Sequence, residues 1–420
     1  MTFGYASFTL RQSLNSPKSS VLAPIMSAQP YVRTGLEVLR DQAFRSLRGL
    51  RIGLVTHPAA VDCQFRHSSE LFSTAPQIQL AALFGPEHGL TGEAQDLIGV
   101  TGGHDPQSDV RIYSLYGDTV ESLRPTPEQL RGLDALVIDL QDVGSRYYTF
   151  QATMFFCFEA ASQCNLLTVV LDRPNPLGGA KVEGPVLQPG FESFVGIHTL
   201  VTRHGMTIGE LAKMYQAERG LAGELRIIPC EGWRREMNFD QTGLPWVLPS
   251  PNMPTLDTAF VYPGQCLVEG TNLSEGRGTT RPFELCGAPW LDPRKLCQRL
   301  EDEALPGVAY RPTWFRPTFQ KFAGQRCGGL QIHVLDREAF QPVRTGLAVL
   351  AAMRDLSGGH FAWRREPYEF VTDRPAIDLL FGSDRERLAL EAGRPLRDIM
   401  GAWEAEEEAF RRRRQEFLLY

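Results

Sequence analysis

Hydrophobic and polar positions divide the chain into two styles of patterning. From Gly35 to Leu47, apolar residues Leu36, Leu39, Phe44 and Leu47 recur at helical spacing, and Gly49 stops the run, which predicts a helix. Four short apolar segments then each finish in polar residues. Arg51–Val55 leads to Thr56 and His57, and Ile78–Phe84 leads to Gly85-Pro86-Glu87-His88-Gly89. Ala135–Ile138 leads to Asp139-Leu140-Gln141-Asp142, and Leu166–Leu171 leads to Asp172-Arg173-Pro174-Asn175. Helical patterns separate them, notably Phe150–Gln163, which predicts buried parallel strands alternating with helices. Thr207 and Glu210 form a capping box for a helix running to Glu218.

The proline-crowded stretch Trp246–Pro254 (WVLPSPNMP) forbids regular structure and predicts a stiff crossing, with a boundary near Thr255. Beyond it the pattern turns α+β. Pro293–Leu305 reads as a helix capped by Asp292, Val308–Trp314 and Leu330–Leu335 as strands, and Val343–Leu356, Ala376–Phe381 and Leu396–Phe417 as helices. The expected fold is α/β. A Rossmann-like, mostly parallel sheet domain is expected over residues 31–255, and a smaller α+β domain over 256–420. Residues 1–30 are serine-rich, lack an acidic residue, and read as a disordered extension.

Composition narrows the function. The chain has 420 residues, 43% hydrophobic and 22% charged, with a net charge of -6, which argues against nucleic acid as the main partner. No apolar run reaches transmembrane length, and no compact secretory leader precedes the fold, so a cytoplasmic location is expected, with a periplasmic or secreted one left open. The eight cysteines include no C-x-x-C pair. No strand is followed by a G-x-G-x-x-G or phosphate-loop pattern, so no nucleotide cofactor is expected. His57, His88, His104, His204, Asp142 and Asp172 are of the residue types that ligate metals, but no H-E-x-x-H, H-x-H or D-x-D-x-D spacing occurs, and no metal is expected. Nothing in the pattern specifies an oligomeric state.

The chemistry concentrates in two places. In open α/β sheets, ligands bind beyond the carboxyl ends of the strands. There stand Glu87 with His88, suited to proton transfer; Asp142, Arg146 and Tyr148, suited to gripping a polyhydroxylated substrate; Asp172 and Asn175; and His204 before the Thr207 helix. Of Tyr147 and Tyr148, at most one is expected to face a ligand. The second place is the glycine-laced stretch Gly264–Glu284 (GQCLVEGTNLSEGRGTTRPFE). It reads as a ligand-holding loop and carries Glu269, Asn272, Glu275, Arg277 and Arg281.

Together these segments resemble the NamZ-like exo-β-N-acetylmuramidases, a glycoside hydrolase family long catalogued as a domain of unknown function. The likeness rests on Phe84–Gly89 (FGPEHG), Ser114–Gly117 (SLYG), Asp139–Thr149 (DLQDVGSRYYT), Asp172–Gly179 (DRPNPLGG), Val182–Pro185 (VEGP), Arg203–Leu211 (RHGMTIGEL), Pro249–Pro254 (PSPNMP) and Tyr262–Phe283. The resemblance implies an active site in the cleft between two domains and release of N-acetylmuramic acid from the non-reducing end of peptidoglycan-derived amino sugars. Phe150 stands where many relatives have Tyr. Glycoside hydrolysis uses two carboxyl groups, one protonated and one ionised. Glu87, tuned by His88, is the expected acid, and Glu275 or Glu269 the second carboxylate. Arg146, Arg277 and Arg281 are candidates for the lactyl carboxylate, each with an alternative as a partner of Asp142, Glu275 or Glu284, and at least one of them is expected to be purely structural. Rival readings are an amidase or esterase acting on cell-wall fragments, and a non-catalytic amino-sugar-binding protein.

Overall fold

The structure, a computed structural model, describes residues 32–95, 98–106 and 108–420. The extension expected over residues 1–30 lies outside the described residues. The strands in chain order are β1 (Arg51–Thr56), β2 (Gln79–Gly85), β3 (Gly103–His104), β4 (Arg111–Ser114), β5 (Ala135–Asp139), β6 (Leu167–Leu171), β7 (Glu183–Val186), β8 (Val201–Arg203), β9 (Leu225–Ile228), β10 (Leu285–Ala288), β11 (Val308–Phe315) and β12 (Cys327–Val334). Seven of them form one sheet in the order β3-β4-β2-β1-β5-β6-β9. All neighbours in it are parallel except β3 and β4. The chain steps outward from β1 through β2 to β4, then returns to the other side of β1 as β5. That reversal makes a topological switch point between β1 and β5.

Two-residue alternation explains how the sheet is buried on both faces. Ile52 and Leu54 of β1, Ala135 and Val137 of β5, and Val169 and Leu171 of β6 share one apolar cluster with Leu36, Leu39 and Phe72. Their alternates Val55, Leu136, Ile138 and Val170 enter a second cluster. That second cluster runs through Phe150, Met154, Ile208 and Leu211 of the helices packed on this face, and continues to Phe260, Leu347, Leu350, Phe381 and Trp403 beyond Thr255. The three-stranded sheet β10-β12-β11 is antiparallel and lies in that later part.

Several expected elements stand where the pattern put them. Helices Phe150–Gln163 and Ala376–Phe381 match, and Thr207 with Glu210 forms the capping box of helix Ile208–Arg219. Others differ for local reasons. The first helix ends at Asp41, because Ala43 and Phe44 adopt positive φ and leave only a 3₁₀ turn at Arg45–Leu47. The expected helix Leu396–Phe417 is broken into Leu396–Gly401, Glu404–Arg413 and a 3₁₀ turn Arg414–Phe417. At the break Trp403 is buried and donates its indole N–H to Glu386 at 3.1 Å.

Glycine decides the packing of the element that delivers the second half of the cleft. Helix Leu256–Gln265 lies against helix Pro342–Ser357. A Cβ on Gly264 would sit 1.9 Å from the Pro342 carbonyl, and one on Gly346 would sit 2.3 Å from Gly264. Gly264→Ala is therefore expected to cost at least about 1–3 kcal/mol through backbone overpacking. A clear drop in melting temperature should show it, whereas Gly220→Ala, at a helix C-cap with open space around it, should cost little beyond its φ strain.

Candidate active site

The carboxyl ends of β1, β2 and β5 converge at the switch point. His57, fully buried after β1, accepts the Gln141 backbone N–H at Nε2 over 2.9 Å, locking the two rims together. Burial pushes the His57 imidazole well below its usual pKa, and the nearby Arg173 charge adds to this, so the ring acts as a neutral acceptor. Beside it, Asp139 and Arg173 form a buried, two-pronged ion pair at 2.6 and 3.0 Å.

Glu87 leaves the end of β2 and lines a cleft. Across the cleft stand Glu269, Arg277, Tyr368 and Glu369, with Tyr148, Thr149, Ser250, Asn252 and Tyr262 between them. The turn around Glu87 and the stretch after Tyr262 thus meet over one pocket. Thr149 donates its hydroxyl to Glu87 at 2.7 Å. Among the described residues no guanidinium or ammonium pairs with Glu87. His88 has a positive φ of 71° and bonds through Nδ1 to the Ala94 carbonyl at 2.9 Å, so its ring lines the cleft without holding Glu87.

Glu269 has the opposite setting. Burial pushes its carboxyl up. The Arg277 charge and hydrogen bond at 2.7 Å, the Tyr368 hydroxyl at 2.8 Å and the more distant Lys321 outweigh burial and hold it below the usual carboxylate range. Burial keeps the Tyr368 phenol well above its ordinary pKa, so it stays a donor. Glu269 sits on a 3₁₀ turn, Cys266–Gly270, that continues the helix through Gly264 and Gln265, and not in the open loop the composition suggested. The loop proper follows. Gly276 and Gly278, both at positive φ, bracket Arg277 and let the chain pass within 2.3 Å (from a hypothetical Cβ) of the Leu285 carbonyl and 2.7 Å of the Phe319 carbonyl.

Other sequence candidates lie outside the cleft lining. Glu275 is behind Arg277: it accepts Lys321 Nζ at 2.8 Å and stands 3.6 Å from Arg277 Nε. Arg146 is fully buried and donates to the Pro185, Leu200 and Leu380 carbonyls at 2.7–2.9 Å; burial pushes its pKa down to about 10. Three of its N–H groups meet backbone carbonyls and none meets an anion, which corrects the expected substrate contact. Arg281 pairs with Glu284 at 3.3 Å on the surface side. Asn272 clamps Ala362 and His360 through its amide.

Asp172 receives Thr207, Gly209 and Tyr420, anchoring a helix start, and burial raises its carboxyl to about 6. Asn175 holds Met206 and Leu177. His204 takes the Met206 N–H at Nδ1 and points Nε2 toward Asp142 at 3.6 Å, while Asp142 accepts the Gly144 N–H at 2.7 Å. These are braces of the rim. Tyr147 and Tyr148 both line the cleft, against the expectation of one, because Ser145–Thr149 is a turn and not a strand with alternating faces.

Composition missed Thr149, Ser250, Asn252, Tyr368 and Glu369. The first three lay inside segments already noted for other reasons. Tyr368 and Glu369 carried no signal: Tyr368 and Val371 exchange backbone hydrogen bonds, and Glu369 and Phe370 between them both have positive φ, 44° and 68°. That is the pattern of a type I′ turn, which Asn-Gly ordinarily supplies. Each bulky residue there costs about 1–3 kcal/mol.

Among the described residues no three His, Cys, Asp or Glu side chains gather as a metal site, and no helix is long and apolar enough to cross a membrane. Family models described as "Exo-beta-N-acetylmuramidase NamZ" match residues 52–257 for the N-terminal part and 260–420 for the C-terminal part. The chain belongs to the NamZ exo-β-N-acetylmuramidase family. Within that family it is 43% identical over 392 residues to the peptidoglycan β-N-acetylmuramidase NamZ of Bacillus subtilis, covering 93% of this chain and 92% of that protein. Two crystal structures of DUF1343 family proteins from Bacteroides fragilis are also similar. One has a TM-score of 0.84 at 34% identity and the other 0.73 at 27%, each covering 93% of this chain and 99% of its own.

The electrostatics of this NamZ-family cleft yield a signed expectation. Arg277→Met removes the charge that offsets burial at Glu269, so the Glu269 carboxyl rises. The acid limb of the kcat/KM profile then moves to higher pH, and activity falls more at pH 5 than at pH 7.

Proposed function

We propose that the chain is a β-N-acetylmuramidase that removes terminal N-acetylmuramic acid from the non-reducing end of peptidoglycan-derived saccharides. The observation that carries this reading is the pair Glu87 and Glu269, brought from 182 residues apart in sequence to one cleft and given opposite surroundings. Two carboxyl groups in contrasting environments are what acid-assisted glycosidic cleavage uses.

Glu87, touched by a hydroxyl and by no cation, is the group we assign to protonate the leaving oxygen. Glu269, held ionised by Arg277 and Tyr368, is assigned to stabilise the developing positive charge at the anomeric carbon, as nucleophile or as base for water. Glu275 acts through Arg277 as a brace. Among the described residues lining the cleft, Arg277 is the one guanidinium, and its charge also favours the lactyl carboxylate of the sugar. Tyr148 and Tyr262 give an aromatic wall, their rings crossing edge to face at 5.9 Å. All eight cysteines are free and six are buried, which supports a reducing, cytoplasmic setting.

Purified protein should release chromophore from a chromogenic β-N-acetylmuramide, with or without chelator. Glu87→Gln should lower kcat by about 10²–10⁴-fold with an unchanged melting temperature. Tight sugar binding without turnover would point instead to a binding protein.

A further inference from the structure

The cleft holds a third carboxylate, and the protein supports it on a turn that its sequence disfavours. Glu369 lines the same cavity as Glu87 and Glu269. Tyr116, from the loop after β4, donates its hydroxyl to Glu369 Oε2 at 3.1 Å. Phe370 packs its ring 5.8 Å from Tyr116 and 6.4 Å from Phe194, and Tyr116 and Phe194 lie 5.8 Å apart, so three aromatic rings brace the turn from below. The preceding residue, Tyr368, holds Glu269. One four-residue turn therefore supports two of the three cleft carboxylates.

Proton transfer and charge stabilisation are accounted for by Glu87 and Glu269. What a sugar still offers a carboxylate is its hydroxyl groups, and a carboxylate has acceptor sites for more than one of them. We propose that Glu369 is a specificity-determining residue that accepts hydrogen bonds from hydroxyls of the terminal amino sugar. This rests on the muramidase reading above. An internal sugar has one of those hydroxyls tied up in a glycosidic bond. Binding it would forfeit that hydrogen bond, and sites built to hydrogen-bond a hydroxyl strongly reject analogues that lack it. Glu369 thereby gives the cleft a preference for chain ends. Phe370 and Glu369 are kept in left-handed conformations because their side chains, and not their backbone, are needed there.

The strain makes the test clean. Asn suits positive φ better than Glu, so Glu369→Asn should keep or raise the melting temperature while removing the carboxylate. On the chromogenic muramide its kcat/KM should fall by about 10–100-fold. On the 4-deoxy analogue, which lacks the hydroxyl that an internal sugar spends in its linkage, wild type should already be slow, and Glu369→Asn should add no further loss. Glu369→Gln, which retains shape and strain, should follow the same pattern. A Glu369→Asn enzyme as fast as wild type, or one that loses the same factor on both substrates, overturns the assignment while leaving the muramidase reading intact. A wild-type protein inert on the parent muramide removes both.

Discussion

Gly264 and Gly346 touch backbone to backbone, and the geometry of the cleft depends on that contact. It brings helix Leu256–Gln265 down onto helix Pro342–Ser357 until no side-chain atom could fit between them. The 3₁₀ turn that follows begins from this fixed point and reaches Glu269 within five residues. Gly270 repeats the device, since a Cβ there would lie 2.8 Å from Ile377. Glu269 is therefore presented by rigid backbone on both sides. Its distance from the β2 end is set by helix packing and not by loop conformation.

Rigid presentation matters because all three cleft carboxyl groups are buried, and a buried charge is tolerated only when its partners are in place. The protein solves this differently on each wall. On the sheet side, a neutral His57 and the closed Asp139–Arg173 pair satisfy the strand ends, and Glu87 is met by the Thr149 hydroxyl. On the other wall, Arg277 and Lys321 crowd the acidic groups of the Glu269–Glu275 segment. The asymmetry arises from topology: one wall is the rim of a parallel sheet, the other a glycine-rich loop with room for two cations.

The parallel sheet was legible because β1, β5 and β6 are short apolar runs with polar ends, a pattern that survives without tertiary information. The strands that escaped notice, β3, β4, β7, β8, β9 and β10, are short or mixed and take their shape from neighbours. Glu87 and Glu269 could be singled out because Pro86, Gly89 and the glycines near Arg277 marked their surroundings. Arg146 could not be told from a ligand-binding arginine, since its carbonyl partners at 185, 200 and 380 come from three separate parts of the chain. Tyr368 and Glu369 were invisible for a related reason: a left-handed turn built without Gly or Asn breaks the local rule by which such turns are found.

The short strand β7, paired with β8 outside the large sheet, has a temporal side as well. Strand β7 gives backbone N–H groups at Gly184 and Val186 to Glu407 and Glu406, partners 223 and 220 residues further along. At ribosomal speeds that interval takes about 10–45 s to translate. Throughout it β7 lacks the carboxylates that take up these N–H groups, so the β7-β8 pair settles only after the helix at Glu404–Arg413 has emerged.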